Sequence, residues 1–149
     1  MVDSHCHLDH SPLYENLDEV VNRAQLIGVK FLLTISTSLK SFEIVKTIIS
    51  KYENIYGTLG IHPHETKDHV NVDKKMLLGL KGSNSKIIGI GETGLDFYYQ
   101  NSDKFIQKKK LKKKKKTPFH LTFLLMFILK MLKLNPLIFW KVILSKIPK

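Results

Sequence analysis

His5 and His7 stand one residue apart, and that spacing is the first feature of the chain that could do chemistry. Side chains at i and i+2 of a strand point to the same face, so the two imidazoles can converge on one ion. Neutral imidazole suits zinc, manganese or iron, and a nearby carboxylate would complete a mixed nitrogen and oxygen site. The residues alone leave two readings open, a ligand pair or a polar strand end. A second pair with the same spacing, His62 and His64, flanks Pro63, and two acids, Glu92 and Asp96, follow further on. Cys6 lies between the first two histidines. Its side chain should face away from them, as a small buried residue and not a nucleophile.

The elements that carry these residues can be read from apolar spacing. Short β-branched or apolar runs occur at Val2 to His5, Val29 to Ile35, Ile55 to Ile61 and Ile87 to Ile90. Between them Leu17, Val20, Val21, Ala24 and Ile27 fall at helical spacing before Gly28, and Phe42, Val45, Ile48 and Ile49 repeat the pattern after Ser41, a candidate N-cap. A third helix is predicted from about Asp73 to Leu80, ended by Gly82. Alternating strands and helices imply an α/β fold with a parallel sheet, either open and doubly wound or a barrel. The chemically loaded residues all follow the C-terminal ends of the apolar runs, the edge at which barrel enzymes build their sites.

Composition bounds the rest. The chain has 149 residues and a net charge of +11, but the average describes neither part. Through Asp103 ten lysines and arginines face thirteen acids, a net of −3; from Lys104 on there are fourteen lysines and no acid, a net of +14. One cysteine excludes an internal disulfide and fits a reducing compartment. Met1 is followed at once by Asp3, Ser4 and His5, without the charged and apolar regions of a secretory signal, so the expected location is cytoplasmic. The apolar stretch Phe119 to Leu129 is well short of the roughly 20 residues a membrane-spanning helix needs.

Three segments together resemble one family. Met1 to Asp9 (MVDSHCHLD), Gly60 to His64 (GIHPH) and Gly89 to Asp96 (GIGETGLD) are similar, in that order and spacing, to the signature motifs of TatD-like metal-dependent deoxyribonucleases. The resemblance implies the N-terminal half of a (β/α)8 TIM barrel, about four βα units over residues 1–107. It implies two divalent metal ions (Mg, Mn or Zn), with His5, His7 and Glu92 as ligands and Glu92 bridging the ions as the catalytic carboxylate. His62 and His64 are expected to contact a substrate phosphate, unless Pro63 merely shapes a loop there, and Asp9 and Asp96 to fix the loops by hydrogen bonds. The implied substrate and partner is DNA. Two ions about 3.5 to 4 Å apart activate water and stabilise both oxygens of an in-line displacement at phosphorus.

After Gln107 the text changes. Residues 108–116 read KKKLKKKKK, and the remainder to 149 is mostly Leu, Phe, Ile and Lys, without a glycine. Periodicity allows a basic helix over Phe123 to Leu134, and nothing reads as a fifth βα unit. The further histidines and late aspartate of the family find no counterpart: His120 sits inside an apolar run, and Leu134 to Trp140 has Trp140 where a histidine belongs. Lysine codons are adenine-rich, and a miscounted base in such a run would shift every later codon out of frame. Resequencing the transcript across codons 107–117 is then expected to restore a chain of about 250 residues. On this reading the chain is truncated and has little or no nuclease activity, with an open edge at the fourth strand and Ile88 and Ile90 left wet. Two other readings stay in play: a non-catalytic fragment whose basic tail binds nucleic acid or an acidic membrane surface, and an amidohydrolase-like barrel acting on a non-nucleic substrate.

Overall fold

Each apolar run of the first part becomes a strand and each helical repeat a helix. A computed structural model of the chain describes residues 1–82, 84–95, 103, 105–107 and 124–129. In order these form β1 (Val2–Cys6), α1 (Leu17–Leu26), β2 (Phe31–Thr34), α2 (Leu39–Lys51), β3 (Ile55–Leu59), a 3-10 turn (Pro63–Glu65), α3 (Lys74–Lys81), β4 (Ile87–Leu95) and β5 (Leu124–Leu129). The strands are all parallel and lie in sequence order, β1-β2-β3-β4-β5. A doubly wound sheet reverses its order at a switch point, and this one does not. Of the two topologies the spacing allowed, the curled half-barrel is the one formed.

Helix ends follow local chemistry. Gly28 terminates α1 at φ 89°, a left-handed conformation that glycine adopts without a Cβ penalty. Asp73 caps α3 by accepting from the Met76 amide (2.8 Å), and Gly82 stops it as expected. At α2 the expectation fails by one turn. The cap is Ser38, whose hydroxyl accepts from the Ser41 amide (3.1 Å), while Ser41 turns back to accept from the Thr37 amide (3.1 Å). Either serine precedes the apolar repeat, so periodicity could not choose between them.

The main core lies between the helices and one face of the sheet. Leu17 and Val21 of α1, Phe42, Val45, Ile48 and Ile49 of α2 and Leu77 of α3 pack with Leu32, Ile55, Leu59 and Ile87 of the strands. Phe42 is fully buried there, and replacing such a side chain by alanine costs about 3–5 kcal/mol. The Lys86 ammonium, at the entry to β4, donates to the carbonyls of Ile49 and Tyr52 (2.8 and 2.6 Å), so a cation closes the C-terminal end of α2. On the opposite face of the sheet Leu33 and Ile35 pack with Tyr56 and Ile88.

Two expectations for the later residues are corrected. Residues 124–129 form a strand, not part of a helix over Phe123 to Leu134: six consecutive apolar residues suit a strand buried within a parallel sheet as well as they suit a helix. That strand pairs with β4 from Gly89↔Leu124 to Leu95↔Leu129, so the edge of β4 is covered and Ile90 is buried instead of wet. Ile88 is half-buried. Asp96, the lysine run 108–116, His120 and Trp140 lie outside the described residues. Among those described, no helix is long and apolar enough to cross a membrane.

Candidate metal centre

The pleat of β1 sorts its side chains. Cys6 packs against the helix-side core and donates its thiol to the Leu33 carbonyl (3.3 Å). Burial, with the charges of Asp3 and Asp9 adding to it, pushes this thiol up from its usual value near 9 to about 12. A thiol so disfavoured as thiolate is no nucleophile, in line with the expectation from the pleat.

His5 and His7, on either side of Cys6, turn toward Glu92 of β4. His5 Nε2 lies 3.7 Å from Glu92 Oε1 and His7 Nε2 3.8 Å from Oε2, one imidazole for each carboxylate oxygen. The Glu92 side chain is 9% exposed, those of His5 and His7 40% and 29%. These separations exceed a hydrogen bond. They are close to the spacing of about 3.4 Å that ligand atoms adopt around a tetrahedral ion with bonds near 2.0 to 2.1 Å. A nearly buried carboxylate facing two imidazoles therefore fits a divalent cation.

The end of β2 holds this arrangement together, although it contributes no metal ligand. His7 Nδ1–H donates to the Ile35 carbonyl (2.9 Å), which fixes the tautomer with a lone pair on Nε2. Thr34 Oγ1 accepts from the Leu8 amide (3.1 Å), and the Ser36 carbonyl accepts from the Glu92 amide (2.8 Å). The buried Ser36 hydroxyl donates to the Thr58 carbonyl and accepts from the Gly60 amide, both at 2.9 Å. Thr58 Oγ1 in turn donates to the Gly91 carbonyl (2.6 Å). Sequence reasoning passed over Thr34, Ser36 and Thr58; the available signal was a cluster of hydroxyl residues, Thr34 to Ser38, at the C-terminal end of a strand.

Gly60 completes the frame. A Cβ there would overlap the backbone of Gly91 and Glu92, so only glycine lets the end of β3 come this close to the segment that bears Glu92. His62 and His64 follow on the same loop. Their rings meet edge to face at 4.4 Å, His62 Nδ1 accepts from the His64 amide (3.2 Å), and the His62 amide donates to the Thr37 carbonyl (2.7 Å). Pro63 is buried at the start of the 3-10 turn. Among the described residues two groups bring ligand atoms within 4.8 Å of one another, His5 with His7 and Glu92, and His7 with Asp9 and His10. The second pair of histidines belongs to neither.

A half-barrel of parallel β/α units with a His-His-Glu cluster at the carboxyl ends of its strands is the arrangement in which barrel proteins assemble metal sites. The chain belongs to the family described as TatD related DNase, whose model matches residues 2–122. It is 36% identical over 112 residues to an uncharacterized metal-dependent hydrolase of Buchnera aphidicola subsp. Baizongia pistaciae, and 33% identical over 111 residues to the uncharacterized metal-dependent hydrolase YcfH of Escherichia coli K12. These alignments cover 72% of this chain and 41% and 40% of those proteins, so the chain spans about two fifths of their length. A TatD family hydrolase structure from Entamoeba histolytica superposes with a TM-score of 0.67 at 28% identity, covering 75% of this chain and 43% of that one. The YjjV TatD homologue of E. coli has the same fold (TM-score 0.66, 24% identity, 76% and 44% covered).

Proposed function

We propose that the chain forms the metal-binding N-terminal part of an enzyme that hydrolyses DNA phosphodiester bonds. The observation that carries this reading is the convergence of His5 and His7 on the two oxygens of Glu92. A carboxylate offers about four lone-pair sites, so Glu92 has capacity for two ions of Mg, Mn or Zn. Held by His5, His7 and Glu92, divalent ions would lower the pKa of water and would stabilise the attacking and leaving oxygens of an in-line displacement. The chain's own residues orient and anchor. His7 is aimed by the Ile35 carbonyl, and Glu92 is held by its amide on Ser36. His62 and His64, on the loop after β3, are assigned to the substrate phosphate. Asp9 anchors the loop after β1 through Ser41 (2.6 Å), and Asp96 is assigned the matching role after β4.

The test is cleavage of end-labelled DNA with added Mn(II) or Mg(II). Cleavage that EDTA blocks, and that falls at least about tenfold in His5→Ala, supports the reading. A second reading draws on the +14 of residues 104–149. DNA binding that weakens with salt, survives EDTA and Glu92→Ala, and brings no cleavage would replace the first with a non-catalytic nucleic-acid binder. Metal-dependent cleavage of a small ester or amide, with DNA untouched, would point instead to an amidohydrolase-like reaction.

A further inference from the structure

Asp9 and His10 directly follow the His5–His7 pair, and His10 has no part in the proposed hydrolysis. The Asp9 side chain is 1% exposed. Its Oδ2 accepts from Ser41 Oγ and lies 3.4 Å from His10 Nε2, while its Oδ1 has no hydrogen-bond partner among the described residues. A buried carboxylate left half-satisfied is costly unless a cation compensates it. The His10 amide donates to the His7 carbonyl (3.2 Å), closing a tight turn that gathers side chains i, i+2 and i+3. The His10 ring stacks on that of His7, centroids 5.2 Å apart and planes within 10°. Ligand atoms of His7, Asp9 and His10 thus lie within 4.8 Å of one another. Two imidazoles and a carboxylate form a donor set that suits zinc, manganese, iron or cobalt.

We propose that His7, Asp9 and His10 form a second seat for a transition-metal ion, an entry position beside the His5–His7–Glu92 centre. The inference rests on His7 being a metal ligand. With Nδ1 engaged by the Ile35 carbonyl, His7 has one nitrogen to give. An ion held by that nitrogen is completed either by His5 and Glu92 or by Asp9 and His10. His10, at 54%, is the most exposed of the five side chains, so an arriving ion can be taken up there, at the outer seat, and passed on to His5 and Glu92 of the inner centre by exchanging partners around His7.

Co(II) titration followed by visible absorption tests this on the full chain. Glu92→Gln disables the inner centre and is expected to retain a single Co(II), bound at least about tenfold more weakly once His10→Ala is added. His10→Ala alone is expected to fill the inner centre to the same final level several times more slowly. If Glu92→Gln does not fold, as judged by circular dichroism, His5→Ala replaces it as the background. Loss of all binding in that background, or equal affinity with and without His10, overturns the outer seat. Wild-type binding that depends wholly on Glu92 leaves the inner centre standing alone, whereas binding that depends on His10 and ignores Glu92 removes the inner centre and keeps the outer.

Discussion

Beside His5, His7 and Glu92, the side chain that does most to frame the site is Ser36, whose single oxygen ties the end of β2 to two backbone groups at the end of β3. Ser36→Ala leaves a buried carbonyl at Thr58 and a buried amide at Gly60 without their partner, at about 1–3 kcal/mol. Urea unfolding should show the lower midpoint, and calorimetry a metal affinity weakened about 10- to 100-fold through displaced supports of Glu92. Cys6 gives a prediction of the opposite kind. Its thiol is raised in the folded state, so the protonated form is favoured by folding. That contribution is fully present below pH 9 and is lost progressively as pH rises toward about 12. Alkylation of the native chain at pH 8 should therefore be slow and should match a free thiol only after denaturation. The convergence of His5 and His7 was legible because a spacing of two on a strand is itself a geometric statement. Ser36 was not, since a hydroxyl among Thr34, Ile35, Thr37 and Ser38 reads equally well as strand, turn or cap until the strands are paired.

Among the elements, β3 and β4 set the geometry of the site by how closely they approach. Gly60→Ala pushes a methyl group into the backbone at Gly91 and Glu92 and must move the segment that bears the carboxylate. Overpacking of this kind costs about 1–3 kcal/mol. The expected signature is a loss of metal affinity larger than the loss of thermal stability would suggest, and unchanged metal binding would show that β4 reaches its position without this contact. Strand and helix order in the first part followed from apolar spacing, because helices pack on one face of a parallel sheet and leave a plain record in the sequence. The cap of α2 and the strand at Leu124–Leu129 left no such record. Two serines competed for the first, and an unbroken apolar run has no period to read.

Across the whole molecule the sheet is open at β1, which pairs only with β2 among the described residues. Val2 of this strand is exposed and stands opposite the exposed Phe31 of β2 in the ladder; Met1, Leu26 and Ile27 are exposed as well. An edge with apolar flanks invites pairing with other chains. Sedimentation is expected to show association that grows with concentration and recedes in Val2→Lys; a monomer at all concentrations would count against it. The three motifs announced a barrel before any strand was paired. The order of the strands then distinguished it from a doubly wound sheet. The end of β2 has a further consequence for the molecule as a whole. Its tethers to β1 and β4 run through the amides of Leu8 and Glu92, which survive any change of side chain at His5 or Glu92. At His5 and Glu92 the chemistry is thus detachable from its support, whereas His7, bonded to the Ile35 carbonyl, joins the two.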